Sequence, residues 1–215
     1  MKKDLTEVVF ILDKSGSMSG LEKDVVGGFN SMLEKQKKLD GECLVSTVLF
    51  DNESRVVYDR EDIREIRKME LEDYEPSGCT ALIDALGDSI RYIRKVHKVI
   101  REEDRPEHTL FIITTDGQEN ASHRYSSNEV KKMVEQQQEN GWEFIYLASN
   151  IDAVESSKAF GFRRKNVVDY MPDSAGNGMV FETACCAMEE MRSNGTVSGR
   201  SFDKIRQDFK KRSGK

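Results

Sequence analysis

Three short segments without charged interruptions constrain the fold of this chain more than any other feature. Residues 8–12 and 110–113 are apolar at every position and rich in β-branched and aromatic residues, and a third apolar run lies within residues 142–148. Strands of this kind are typical of a sheet that is covered on both faces. Segments with helical spacing of apolar residues separate the three runs. The pattern therefore predicts an α/β fold, with a doubly wound, mostly parallel central sheet and helices on both faces.

Hydrophobic spacing and chain breakers predict the remaining elements. Residues 44–50 and 55–58 flank the turn residues 51–52 and predict an antiparallel hairpin at one sheet edge, and residues 167–170 predict a last edge strand. Helices are expected over residues 20–39, 82–100 and about 180–191, and shorter ones over 62–69 and 152–160 with Asp152 as a cap. Ser126 and Glu129 match a capping box at the start of another helix. Gly27 and Gly28 predict close packing of the first helix on the sheet.

The charge of the chain is unevenly distributed. The 215 residues carry a net charge of −6, but residues 193–215 hold seven Lys or Arg and only two Asp or Glu, which leaves −11 on residues 1–192. An acidic body argues against nucleic-acid binding there. We therefore divide the chain into a domain, residues 1–192, and a basic tail, residues 193–215. The tail has three alternative roles: docking on the acidic body, binding a partner, or contacting an anionic membrane. Docking is favoured because the charges are opposite and the apolar stripe of Phe202, Ile205 and Phe209 is small.

The cysteine pattern and the start of the sequence bear on compartment and metal type. The four cysteines show no CxxC spacing and there are only three histidines, so a zinc site is not expected. Free thiols suit a reducing compartment. The sequence passes from Met1 almost directly into the first predicted strand, which predicts no signal peptide, and its apolar runs are too short to span a membrane. A cytoplasmic location is the resulting expectation.

Polar side chains follow two of the apolar strands at their carboxyl ends. Asp13, Ser15 and Ser17 alternate after the first strand, and Asp116 follows the second. Because the carboxyl ends of parallel strands share one edge of a sheet, these loops are expected to converge, together with the loop that carries Thr80 before a predicted helix. Carboxylate and hydroxyl oxygens suit a hard cation such as Mg²⁺. The alternative interpretation is that these are ordinary turn residues, with Thr80 acting as a helix N-cap.

Taken together, Asp13-x-Ser15-x-Ser17, Thr80 in a Ser-Gly-Cys-Thr-Ala-Leu loop and Thr115-Asp116-Gly117 resemble the metal-ion-dependent adhesion site of von Willebrand factor type A domains. The motifs come in that family's order, and the resemblance covers about residues 3–191. It implies a Rossmann-like fold with one antiparallel edge strand. It also implies a site in which Ser15, Ser17 and Thr80 ligate Mg²⁺, or alternatively Mn²⁺, while Asp13 and Asp116 act mainly through waters.

The same resemblance implies a function. A carboxylate from an Asp or Glu of a partner protein would complete the octahedral shell of the ion, so the chain would be a protein-interaction module and not an enzyme. The chain resembles stand-alone bacterial intracellular members of the family, which work beside ATPases or in multiprotein assemblies. In the family the last helix shifts on ligation, which would concern residues 178–192 here.

One enzymatic hypothesis competes with this interpretation: a Mg²⁺-dependent phosphoryl-transfer hydrolase with Asp13 as the nucleophile. Haloacid-dehalogenase-like enzymes place an Asp at this point, but their motif needs a second acid where this chain has Ser15. No Walker A sequence is present either. The residues that flank the motifs are interpreted either as rim or tuning residues of the site or as ordinary packed and exposed side chains: Lys14, Met18, Glu119, Asn120, His123 and Arg124.

Overall fold

A six-stranded sheet forms the centre of the molecule, which a computed structural model describes over residues 1–149 and 153–214. The spatial order is β3-β2-β1-β4-β5-β6, and every neighbouring pair is parallel except β2 and β3. The predicted α/β architecture with an antiparallel edge strand is confirmed. The strands are β1 (Lys2–Asp13), β2 (Glu42–Phe50), β3 (Ser54–Asp62), β4 (Pro106–Thr115), β5 (Glu143–Ala148) and β6 (Val167–Asp169).

Helices cover both faces of the sheet. One face packs against α1, α5 and α6, and the other against α2, α3 and α4. The capping box predicted for α3 is present, with Ser126 accepting from the backbone N–H of Glu129. The predicted cap Asp152 lies outside the described residues. The helices are α1 (Glu22–Gln36), α2 (Leu82–Val99), α3 (Ser127–Glu139), α4 (Ala153–Phe160), α5 (Ser174–Asn194) and α6 (Asp203–Ser213).

Strand register places the predicted site loops along one edge of the sheet. Asp13 at the end of β1 pairs with Phe50 at the end of β2. On the other side of β1, Leu12 pairs with Thr114, one residue before the end of β4. The carboxyl ends of β1, β2 and β4 are therefore level, and the loops that follow them start from the same edge.

Two predictions from the sequence were wrong, one about a helix and one about packing. Residues 62–69 do not form a helix, although Ile63, Ile66 and Met69 are buried at helical spacing. The N–H and C=O groups of Met69 instead bond to the side-chain amide of Asn30 in α1. The close approach predicted for Gly27 and Gly28 occurs only at Gly28, and it involves α5 instead of the sheet.

Gly28 is the position where α1 approaches α5. A Cβ atom at Gly28 would lie 2.5 Å from a ring carbon of Phe181 in α5, so only glycine fits there. A Cβ at Gly27 would have no heavy atom within 4 Å. The two helices therefore pack closely at Gly28, because this residue has no side chain between them.

The basic tail docks on the body of the molecule. Phe202 is 0% exposed, and Ile205 and Val197 join the same apolar core as α1 and α5. At the surface, Lys204 pairs with Glu182 at 2.6 Å, and Arg212 pairs with Asp173. The contacts are those of the docked alternative predicted from the sequence. Over residues 1–149 and 153–214, no helix has the length and apolar character needed to cross a bilayer.

Candidate metal centre

Asp13 is a buried anchor at the end of β1. Its side chain is 1% exposed. One carboxylate oxygen accepts the backbone N–H of Ser15 at 2.7 Å, and the other accepts the hydroxyl of Thr115 at 2.5 Å. The hydroxyl of Tyr74 donates to the Asp13 carbonyl oxygen. Asp13 therefore fixes the turn that carries the two serines and joins it to the end of β4.

The two serine hydroxyls and Asp116 form a continuous chain of oxygens. Ser15 Oγ lies 3.1 Å from Ser17 Oγ, and Ser17 Oγ donates to a carboxylate oxygen of Asp116 at 2.5 Å. Ser15 and Asp116 are buried, whereas Ser17 is exposed. Residues that are 99 positions apart in the sequence thus meet at one point, as the sequence predicted.

Thr80 completes the cluster from the loop before α2. The position of a Cβ atom at Gly117 would be 3.0 Å from Thr80 Oγ1 and 3.7 Å from Ser17 Oγ, so both hydroxyls border the same small space. Thr80 is 3% exposed. The N-cap of α2 is Ala81, without a side-chain cap, so Thr80 is not the helix cap of the alternative interpretation.

Burial shapes the electrostatics of the two acids. Burial raises the pKa of Asp13 above its ordinary value, opposed by the hydrogen bonds from Thr115 and Ser15, and the nearby charge of Asp116 raises it further. Burial also raises the pKa of Asp116, against the hydrogen bond from Ser17. Burial disfavours the charged form of both carboxylates, and a divalent cation bound beside them would favour it.

The donor set matches a small hard cation. Adjacent oxygens around octahedral Mg²⁺ are about 3 Å apart, since the Mg–O distance is about 2.1 Å. The separation of 3.1 Å between Ser15 Oγ and Ser17 Oγ agrees with such an edge. Among residues 1–149 and 153–214, no three His, Cys, Asp or Glu side chains come together as a metal site. The cluster has only two carboxylates and consists otherwise of hydroxyls, which suits Mg²⁺ better than a softer ion.

The loop after Asp116 is held by two further acids. Glu119 accepts the backbone N–H of Ile83 at the start of α2, at 2.8 Å, and that of Ser122, also at 2.8 Å. Asp84 in α2 accepts the backbone N–H groups of His123, Arg124 and Tyr125 at 3.0 Å each. Although burial of Asp84 acts to raise its pKa, these bonds lower it on balance. The loop of Asp116 and the helix after Thr80 thus form one bonded unit.

The residues that flank the motifs differ in their burial and in their ion pairs. Lys14 pairs with Asp51, and Met18 is buried in the core. Both side chains are therefore packed against the protein, as the second interpretation has it. Arg124 pairs with Asp84 at 3.3 Å and with Asp88. His123, Arg124 and Asn120 are all exposed. Sequence reasoning missed the support that Thr115 gives to Asp13, although Thr115 lies in the quoted motif.

Several solved structures share this architecture. The von Willebrand factor domain of the type V pilus tip protein Mfa5 from Porphyromonas gingivalis is 12% identical, over 90% of this chain and 98% of that one, with a TM-score of 0.62. A von Willebrand factor type A protein from Catenulispora acidiphila is 16% identical over 85% of this chain, with a TM-score of 0.58. The chain has the von Willebrand factor type A fold. The manganese-loaded TRAP protein of Plasmodium vivax shares it at 15% identity, over 84% of this chain and 73% of that one, with a TM-score of 0.57.

These likenesses concern the fold of the type A domain. The chain spans only 42% of the length of the Catenulispora acidiphila protein. No family model and no curated protein sequence matches the chain. What the site does therefore has to be argued from its own residues.

Proposed function

We propose that the chain is a metal-dependent protein-interaction module that binds an Asp or Glu carboxylate of a partner protein. In this proposal Ser15, Ser17 and Thr80 hold Mg²⁺, or alternatively Mn²⁺, together with Asp13 and Asp116. The observation that carries the proposal is the convergence of three distant loops on one small space bordered by hydroxyls. The Thr80 hydroxyl is central to it, because it borders this space from a buried residue of the third loop.

The roles of the residues follow from their bonds. Asp13 uses both carboxylate oxygens to hold Ser15 and Thr115, so it acts as the frame of the site. Ser15, Ser17 and Thr80 offer neutral oxygens, which cancel none of the charge of a divalent cation. When bound, the ion supplies a positively charged coordination position for an anionic oxygen. Asp116 accepts a hydrogen bond from Ser17, so it would act on the ion together with that hydroxyl.

The competing hydrolase hypothesis receives less support. A nucleophilic Asp needs an accessible oxygen directed at the phosphorus atom of its substrate. Asp13 is 1% exposed, and each of its carboxylate oxygens accepts a hydrogen bond. These contacts favour a positioning role. Turnover of generic phosphate esters that is lost in Asp13→Asn would support the enzyme instead.

Further properties belong to the same proposal. We place a domain boundary near residue 192, with the tail of residues 193–215 as a docked extension. A bacterial origin, a cytoplasmic location and a partner within an ATPase-containing assembly stay predictions from the sequence resemblance. The acidic body, with its charge of −11 over residues 1–192, supports a partner other than nucleic acid.

An affinity experiment with two baits tests the proposal. Wild type and the double variant Ser15→Ala/Ser17→Ala are immobilised and exposed to extract in Mg²⁺, and bound protein is eluted with a chelator. The expected result is a partner that wild type retains, the chelator releases and the variant fails to bind. Replacement of the partner's contacting Asp or Glu by its amide should then abolish retention. Proteins that bind both baits equally, with or without chelator, would contradict the proposal.

A further inference from the structure

The loop that carries Thr80 is held in position by hydrogen bonds to other segments of the chain. In residues 77–81 it bonds outwards through four backbone N–H groups. Ser77 donates to the Lys14 carbonyl oxygen at 2.8 Å, and Ala81 donates to that of Asp51 at 2.8 Å. The N–H groups of Cys79 and Thr80 donate to asparagine side chains. The loop therefore has no regular structure of its own and takes its position from its neighbours.

Asn120 forms a two-bond clamp on Thr80. Its side-chain oxygen accepts the Thr80 N–H at 2.9 Å, and its own backbone N–H donates to the Thr80 carbonyl oxygen at 3.1 Å. Asn120 lies four residues after Asp116, in the loop that follows β4. The clamp therefore ties the main chain of Thr80 directly to the loop of Asp116.

Asn52 holds the same loop from the opposite side. Its side-chain oxygen accepts the Cys79 N–H at 2.8 Å from the turn between β2 and β3. The neighbouring Gly78 has φ +66°, and a Cβ atom there would lie 1.9 Å from this oxygen. Glycine is required at residue 78 on both counts, because of its left-handed backbone and the close approach of Asn52.

We propose that Asn120, with Asn52 opposite, is a positioning residue of the metal centre that sets where the Thr80 hydroxyl lies. The role rests on the proposed function. Neither asparagine belongs to the ligand set, and both side chains act through backbone bonds to the loop of residues 78–80. A hydroxyl needs to be placed to within about 0.5 Å for productive ligation, and a loop without secondary structure cannot do this alone.

The chain offers a matched control for this role. Asn30 also ties a distant backbone segment, with its side chain bonding the N–H and C=O groups of Met69 at 2.9 and 2.8 Å. It lies in α1, away from the site loops. Asn30→Ala removes two side-chain hydrogen bonds and Asn120→Ala removes one, so the control is the larger loss of bonding, but only Asn120→Ala concerns Thr80.

Calorimetric titration with Mn²⁺ tests the proposal on the full chain. Asn120→Ala should weaken the affinity about tenfold, the factor equivalent to one hydrogen bond of about 1.4 kcal/mol, while Asn30→Ala should leave it unchanged. In a Thr80→Ala background, adding Asn120→Ala should have no further effect, because the hydroxyl that it positions is gone. Asn120→Asp keeps an acceptor oxygen for the Thr80 N–H and adds a negative charge near the cation, so its affinity should be no weaker than that of wild type.

Three outcomes would overturn the positioning role. Asn120→Ala with wild-type affinity would do so, as would equal losses in Asn30→Ala and Asn120→Ala, which would indicate a general effect of instability. A full additional loss in the Thr80→Ala background would also contradict it. Wild type that does not bind Mn²⁺ would overturn the proposed function itself and the positioning role with it. Melting temperatures recorded alongside show whether each variant is folded.

Discussion

The double variant Ser15→Ala/Ser17→Ala should lose metal-dependent stabilisation and keep its fold. The bond that Asp13 accepts from residue 15 comes from the backbone N–H, which alanine retains. The variant loses the contact between the two hydroxyls and the bond from Ser17 to Asp116. Because Ser17 is exposed, water can replace that bond, and the expected cost without metal is about 0.5–1.5 kcal/mol.

With metal present, the free energy of unfolding of the wild-type protein should rise by more than the cost of the two substitutions. An ion at 100 times its dissociation constant stabilises a folded chain that it binds by about 2.7 kcal/mol. For a chain of this size that corresponds to a rise in melting temperature of about 5–10 °C. The double variant should show no rise, because two of the three proposed hydroxyl ligands are absent.

Thermal unfolding followed by circular dichroism, in chelator and in Mg²⁺, measures both quantities. Ser19→Ala is the matched control, since Ser19 is an exposed serine in the same turn and does not take part in the oxygen cluster. It should respond to Mg²⁺ as wild type does. Equal rises in wild type and in the double variant would refute the assignment of the two serines.

Three further predictions concern the stability of the fold around the site. Urea unfolding measures each of them. Gly27→Ala should raise the free energy of unfolding by up to about 1 kcal/mol through helix propensity, whereas Gly28→Ala should lower it by about 1–3 kcal/mol, because the new Cβ would overlap Phe181. Phe202→Ala should lower it by about 3–5 kcal/mol, and a loss below about 1 kcal/mol would contradict docking of the tail in the core. The pKa of Asp84 is lowered on folding, so its carboxylate stabilises the folded state above the ordinary pKa of 3.8, and this stabilisation is lost as the pH falls through the folded-state pKa. Asp84→Asn should therefore lower the free energy of unfolding most above pH 3.8. A loss that is independent of pH between 3 and 7 would contradict this.

The sequence was informative wherever local pattern and structure coincide. The apolar runs became β1, β4 and β5 because a strand covered on both faces needs apolar residues at every position. The polar residues after them had to share an edge once the strands were parallel. The cluster of Ser15, Ser17 and Asp116 follows from that topology together with the resemblance of the motifs.

Other features depend on tertiary contacts that no local pattern contains. Ile63, Ile66 and Met69 have the spacing of a buried helical face, yet Asn30 takes the backbone bonds of Met69 that a helix would use. The partner of Gly28 is Phe181, which is 153 positions away. Asn52 lies in a predicted turn, and Asn120 was interpreted either as a tuning residue or as an ordinary loop residue. Their contacts with residues 79 and 80 appear only when three loops are assembled.

A crystal structure of the protein grown with Mn²⁺, with anomalous scattering recorded at the manganese edge, tests the central claim most directly. The account predicts one strong anomalous peak in direct contact with the hydroxyls of Ser15, Ser17 and Thr80. An anomalous map without a peak between these three oxygens, at Mn²⁺ concentrations that saturate the protein in solution, would contradict it.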